Sequence, residues 1–286
     1  MKSFQSINLI VLVLSITEVP VFTSNACSIE DAAKKGLIKL SIKGKGGYIG
    51  DVIEMRIQNL TSKKLDLSLE AGRVLDSKKN CEQDILVTQT QSFSVTANQQ
   101  KILNVWGMGC QAHNAVPQNN SDYTVGKLAD STLIKLANYI DENKKYTSYT
   151  AQQAVWTISD NNSLASISGG DKLEVTNFRK FISKMTGRTI PSYDITYVQE
   201  NDNNVIGRVS KVEGTFDYTV PVNGKVTIGI YDSNGRLVQL LFQDVPHTKG
   251  KCKLHYTFKT QDLTPGAYYA KMNMNGKVEQ EMEIEF

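Results

Sequence analysis

From Leu37 to Met108 apolar and polar residues alternate with a period of two. Ile38, Leu40 and Ile42 are interleaved with Lys39, Ser41 and Lys43. Ile53, Met55 and Ile57 are interleaved with Glu54, Arg56 and Gln58, and Leu65, Leu67 and Leu69 repeat the pattern. Alternation of this kind puts one set of side chains on each face of a strand. The breaks "GKGG" (44–47), "NLTSKK" (59–64) and "DSKKN" (76–80) are rich in turn residues. With "DILV", "SFSV" and "ILNVW" following, the spacing predicts an antiparallel β-sandwich. The stretch "QAHNAVPQNNSDY" (111–123) reads as a polar loop.

The period then becomes helical. Leu133, Leu136, Ala137 and Ile140 recur at i, i+3, i+4 and i+7, and Ala151, Ala154, Val155 and Ile158 do the same. A third helix is predicted from a capping Asp171 through Phe178, Phe181, Ile182 and Met185 to a stop at Gly187. The polar run "QENDNNVIG" (199–207) marks a boundary, after which strands return around Phe216–Val220, Val226–Ile230, Leu254–Phe258 and Tyr268–Met274. Asn275-Gly276 predicts a two-residue hairpin turn into a last strand whose Val278, Met282, Ile284 and Phe286 are interspersed with Glu279, Glu281, Glu283 and Glu285. The fold class expected is therefore mainly β with a helical segment. A sandwich and about three helices occupy 27–199, a linker 200–211, and an immunoglobulin-like sandwich 212–286.

Composition adds the compartment. Lys2 precedes the short apolar run "INLIVLVLSI" (7–16), and "TSNA" ends in small residues, so residues 1–26 read as an export signal cleaved after Ala26. The run is too short to span a bilayer as a helix, and no membrane span is expected. Lipidation at Cys27, as in a bacterial lipoprotein, is the alternative to an ordinary secreted or surface-held terminus. A net charge of +3 with no basic block argues against nucleic acid as a partner. Four cysteines (Cys27, Cys81, Cys110, Cys252) in an exported chain lead to an expectation of disulfides, in pairings that the sequence does not choose.

Two resemblances follow from particular residues. Val226-Thr227-Ile228 before "YDSNGR" (231–236), with Leu263 and Pro265-Gly266-Ala267-Tyr268, resembles the immunoglobulin-like domain of flagellar hook-capping proteins and of type IX secretion sorting domains. That resemblance implies a role for the C-terminal unit in secretion or attachment, through the secretion machinery. The closing "EQEMEIEF" is acidic, where such sorting domains usually end on a basic strand. Secondly, Ala151-Gln152-Gln153-Ala154-Val155-Trp156 resembles the "TQxAVW" helix of thioester domains on bacterial surface adhesins. It implies a bond between the Cys110 sulfur and the Gln152 carbonyl, shielded by Trp156. Ala151 stands in place of the threonine, and only 42 positions separate Cys110 from Gln152. Weighing these departures, the sequence leads us to expect Cys110 paired with Cys81 or lying far from Gln152, with Gln152 solvated or bonded to a loop and Trp156 in the core.

Other chemistry is thin. Cys110/His113 and Cys252/His255 share a Cys-x-x-His spacing, but the second pair lies in a strand, where positions three apart face opposite ways, and the first has no further ligands. No metal site or cofactor is expected. No nucleophile elbow, phosphate loop or HExxH motif occurs. Tyr48 at a glycine-rich hairpin tip, and Tyr146 and Tyr149 around the loop before the second helix, are candidates for contact with a protein or glycan. The function expected is an exported, non-enzymatic bacterial binding or adhesion protein. The alternatives are a covalent adhesin with the thioester, or a secreted enzyme whose site no motif reveals.

Overall fold

The computed structural model describes residues 26–198 and 207–286, and it is mainly β with a helical segment. Residues 1–25 of the expected signal segment 1–26, and residues 199–206 of the polar run 199–207, lie outside the described residues.

The chain opens with β1 (Cys27–Ser28) and α1 (Ile29–Lys34), then β2 (Ile38–Lys45), β3 (Ile49–Asn59), β4 (Leu65–Leu69), β5 (Arg73–Ser77), β6 (Ile85–Val87), β7 (Gln91–Val95), β8 (Gln100–Gly109) and β9 (Asn119–Leu128). Six of these strands close on themselves in the order β2-β3-β8-β6-β5-β9, while β1-β4-β7 form a separate sheet. Residues of both sheets meet in one core. Ile53, Met55 and Ile57 of β3 pack with Ile29 of α1, Leu67 and Leu69 of β4 and Val95 of β7. Burial of each such side chain contributes about 1.5–3 kcal/mol. The strand that closes the ring is β9, which begins inside the stretch read from sequence as a loop and pairs with both β2 and β5. Its alternation is carried by Ser121, Tyr123 and Val125, too polar a set to be recognised as a strand.

Three helices follow: α2 (Ser131–Glu142), α3 (Tyr149–Ser159) and α4 (Lys172–Thr186), with a 3-10 turn at Leu164–Ser166 before α4. The end signals act as their chemistry dictates. Asp171 accepts the Glu174 amide at 3.0 Å, and Gly187 terminates α4 at a φ of +74°. Whereas α2 and α4 each bury one face, α3 has every residue from Thr150 to Thr157 buried, because it lies between the other helices and the barrel.

The C-terminal unit is a two-sheet sandwich. Its strands are β10 (Tyr193–Tyr197), β11 (Val209–Val220), β12 (Gly224–Asp232), β13 (Leu237–His247), β14 (Gly250–Lys259), β15 (Ala267–Met274) and β16 (Lys277–Glu285). The sheets run β10-β11-β14 and β13-β12-β15-β16. Asn275 and Gly276 take φ of +51° and +76° in the tight turn between β15 and β16. Two details differ from the expected division at 199. Strand β10, expected in the N-terminal unit, pairs antiparallel with β11, and positions 209–211 of the expected linker are already part of β11. Strand β10 also holds the helices, through Arg179 to Asp194 and through the Ser168 hydroxyl to the Ile195 carbonyl.

All four cysteines are unpaired, so the expected disulfides are absent. The physical reason is placement. Cys27 packs against the barrel core, Cys81 is exposed, Cys110 is buried in the core shared with the helices, and Cys252 lies on β14 of the other unit. No helix among the described residues is long and apolar enough to cross a membrane.

Candidate functional site

Helix α3 packs against the end of strand β8, where its hydrogen bonds converge on Gly109. Ser148 caps α3 by accepting the Ala151 amide at 3.1 Å, which fixes the direction of its first turn. That turn sends Gln152, with no exposed surface, to Gly109 at the end of β8. The Gln152 Nε2 donates to the Gly109 carbonyl at 2.7 Å, and the Gly109 N–H donates to Gln152 Oε1 at 3.1 Å. The same N–H also reaches the Tyr48 carbonyl at 2.8 Å, so Gln152 enters where strand pairing at the GGYIG tip begins. A Cβ at 109 would come within 1.8 Å of Gln83 Oε1, so any larger residue there requires the Gln83 side chain to move.

The next residue is Cys110. It is buried in the apolar cluster that the barrel shares with the helices, to which Ala151, Ala154 and Val155 of α3 also belong. Burial pushes the thiol far above its ordinary range, with the Asp84 and Asp160 carboxylates adding to the effect. The thiol is thus held in its neutral form, and any attack by the sulfur has to pass its proton to the leaving group. The loop beyond it is fastened to the far end of α3. Ser159 Oγ donates to the Cys110 carbonyl at 2.5 Å, and the Ala112 amide donates to the Asp160 carboxylate at 3.2 Å. Burial raises the pKa of Asp160 above the usual carboxylate range.

An aromatic cluster lies one turn further along α3. Trp156 is fully buried, four residues beyond Gln152 and on the same side of the helix. Its ring centroid lies 5.5 Å from Tyr48 and 6.4 Å, nearly edge-on, from Tyr149. Tyr197 of β10 packs against the same cluster. Tyr146 is elsewhere: it lies 5.7 Å from Trp106 and its hydroxyl donates to Asp141 at 2.7 Å.

Of the sequence candidates, Tyr48, Trp156 and Tyr149 form one aromatic cluster, Gln152 is bonded to Gly109, the residue before Cys110, and Tyr146 lies against Trp106. Gln152 is neither solvated nor bonded to a loop; it is buried against the strand residue that precedes Cys110. His113 is exposed while Cys110 is buried, and His255 is exposed beside a half-buried Cys252. No group of three or more His, Cys, Asp or Glu side chains suited to a metal occurs among the described residues. Sequence reasoning missed Gly109, Gln83, Ser159 and Asp160. Spacing carries no sign of Gln83, while Ser159-Asp160 at the end of an apolar helical run is a recognisable helix stop.

No family model matches the chain, and no curated protein matches it. Among solved structures, the crystal structure of red sea bream transglutaminase aligns with 90% of this chain at 10% identity and a TM-score of 0.20. The chain spans 33% of that protein's length, and a TM-score this low establishes no shared fold.

Proposed function

We propose that the chain is an exported surface adhesion protein that binds its protein or glycan ligand through the N-terminal unit, and that an internal thioester between Cys110 and Gln152 makes the attachment covalent. The observation that carries this reading is the burial of the Gln152 carboxamide against Gly109, next in sequence to a buried, unpaired Cys110. In forming the bond, the Cys110 sulfur attacks Gln152 Cδ, a C–S bond replaces the C–N bond, and the thiol proton leaves with ammonia. The Gly109 N–H is already directed at the oxygen on which negative charge develops. A primary amine on the ligand then reverses the logic. Its nitrogen bonds to Cδ, and the thiol is released carrying the amine's proton. By its resemblance, the C-terminal sandwich serves secretion or attachment.

A second reading is favoured by one observation. Both ends of the Gln152 carboxamide are hydrogen-bonded to Gly109, which suits a structural peg in a protein that binds non-covalently. Intact mass separates the two. A thioester lowers the mass by about 17 Da, protects Cys110 from alkylation, and lets methylamine add at Gln152 while freeing the thiol. An unshifted mass with a Cys110 that alkylates on unfolding without methylamine rejects the covalent reading. The C-terminal role is tested by placing residues 190–286 behind a reporter, with surface retention expected. The segment starts at 190 because β10 pairs with β11.

A further inference from the structure

We infer that Tyr149 is the residue that governs access to the Gln152 acyl carbon, and that it selects amines carried at the end of an unbranched chain. The inference rests on the thioester reading. Tyr149, Gln152 and Trp156 lie at i, i+3 and i+7 on α3 and share one side of the helix. Gln152 and Trp156 have no exposed surface, whereas Tyr149 is 48% exposed. Tyr48, on the other side of Trp156, is half-buried, and its carbonyl is tied to the Gly109 amide at 2.8 Å. Tyr197 is half-buried and belongs to a paired strand.

The members of this shell differ in what moving them disrupts. Displacing Trp156 opens the core, and displacing the half-buried Tyr48 ring exposes more apolar surface than displacing Tyr149. Tyr149 is the first residue of α3, preceded by its own cap, so its ring can swing out by rotation of its side chain, giving up its interaction with the Gln153 side chain and leaving the helix intact. A slender alkyl amine needs only that displacement. A branched amine needs Trp156 or Tyr48 to move as well. The ring also stands in the way of water. Attack by water on the same carbon would break the C–S bond without attaching anything, leaving a carboxylic acid on the side chain at position 152 and a free thiol on Cys110.

The test follows methylamine, isopropylamine and water by intact mass in the wild type and in Tyr149→Ala, Tyr149→Phe and Tyr139→Ala. Tyr139 stacks on Phe181 at 4.0 Å, away from the shell, and controls for general loosening of the helices. Tyr149→Ala is expected to speed both methylamine addition and hydrolysis roughly tenfold and to narrow the gap between methylamine and isopropylamine. Tyr149→Phe, which keeps the ring, is expected to react at the wild-type rate, as is Tyr139→Ala. A wild type that forms a thioester, with Tyr149→Ala reacting no faster, overturns the gate and leaves the thioester standing. Equal acceleration by Tyr139→Ala overturns it too. A wild type with unshifted mass overturns both readings together.

Discussion

The two units are both rich in strands, but their interiors differ. Beyond residue 207 the one buried polar or charged side chain among the described residues is Thr260. Between 26 and 198 the buried set includes Arg73, Glu82, Gln83, Gln152, Gln153 and Arg179. Most of their polar atoms are bonded. Arg73 donates to Glu30, Glu70 and the Gly126 carbonyl, while Glu82 accepts from Ser121 at 2.8 Å and Tyr123 at 3.1 Å. Gln83 Oε1 and Arg179 Nε have no hydrogen-bond partner. A buried polar group costs stability unless it is hydrogen-bonded, and an unpaired one costs most. The C-terminal sandwich therefore holds chiefly by apolar alternation, with the hydroxyl of the buried Tyr256 as its own unpartnered polar atom. The N-terminal unit depends on particular pairings, and its one candidate reaction lies inside them.

The largest effects test whether that difference lies in polar pairing or in packing. Trp156→Ala and Phe258→Ala each remove a fully or almost fully buried aromatic side chain. Each is expected to cost about 3–5 kcal/mol in urea denaturation, one in each unit. Near-equal values place the difference in the polar groups, and a Trp156→Ala loss below about 1 kcal/mol would show that the aromatic shell is not packed. The next pair compares polar groups. Gln152→Ala strips the Gly109 carbonyl of its Gln152 donor and leaves a small cavity, for a loss of about 2–3 kcal/mol. Thr260→Ala removes one bond to the Val209 carbonyl, 2.7 Å long, for about 1 kcal/mol. Equal losses would end the claim that the N-terminal interior relies more on its pairings.

The same contrast explains what is legible in the sequence. Strands β15 and β16 and the Asn275-Gly276 turn between them can be read from alternation and turn chemistry, because both act locally. Helices α2 to α4 are legible from their periodicity, and α4 from its caps. Strand β9 is not, since its strand character comes from closing the ring between β2 and β5, a contact between residues distant in sequence. Strand β10 is hidden for a similar reason: its partner lies beyond the polar run that marks the expected boundary. At the site, the motif points to Gln152, Trp156 and Cys110. The glycine that receives the carboxamide lies 43 positions away, and nothing in the order of residues shows that α3 is enclosed on all sides.

Glycine turns should behave alike in both units if the difference lies only in the interiors. Gly187 after α4 and Gly276 between β15 and β16 have φ of +74° and +76°, and an added Cβ meets nothing within 4 Å at either. Alanine at each position is strained by backbone conformation alone, and a loss of about 1 kcal/mol is expected in both cases. A much larger loss at Gly187 would mean that the helix end is coupled to the buried network behind it.

The smallest effect concerns two aspartates with opposite shifts. Asp232 in the C-terminal unit accepts the Arg236 and Asn234 amides at 2.9 and 3.0 Å, and chiefly the Arg236 amide holds its carboxyl below the usual range. Asp160 at the end of α3 is raised, chiefly by burial. An unfolded aspartate titrates near about 3.9. For Asp232 the unfolded chain binds more protons near that pH. Its contribution is thus present above about 3.9 and lost as pH falls through its lower folded value. For Asp160 the folded chain binds more, so its contribution is full below about 3.9 and declines as pH rises to its higher folded value. Asp232→Asn should therefore be less stable than wild type at neutral pH, the gap closing in acid. Asp160→Asn should gain on wild type as pH rises through the same region, then hold a constant difference. Urea midpoints measured from pH 3 to pH 7 (about four units) would show these opposite slopes. Parallel slopes would mean that Asp160 is solvated in solution, and with it the loop that fastens Cys110 to α3.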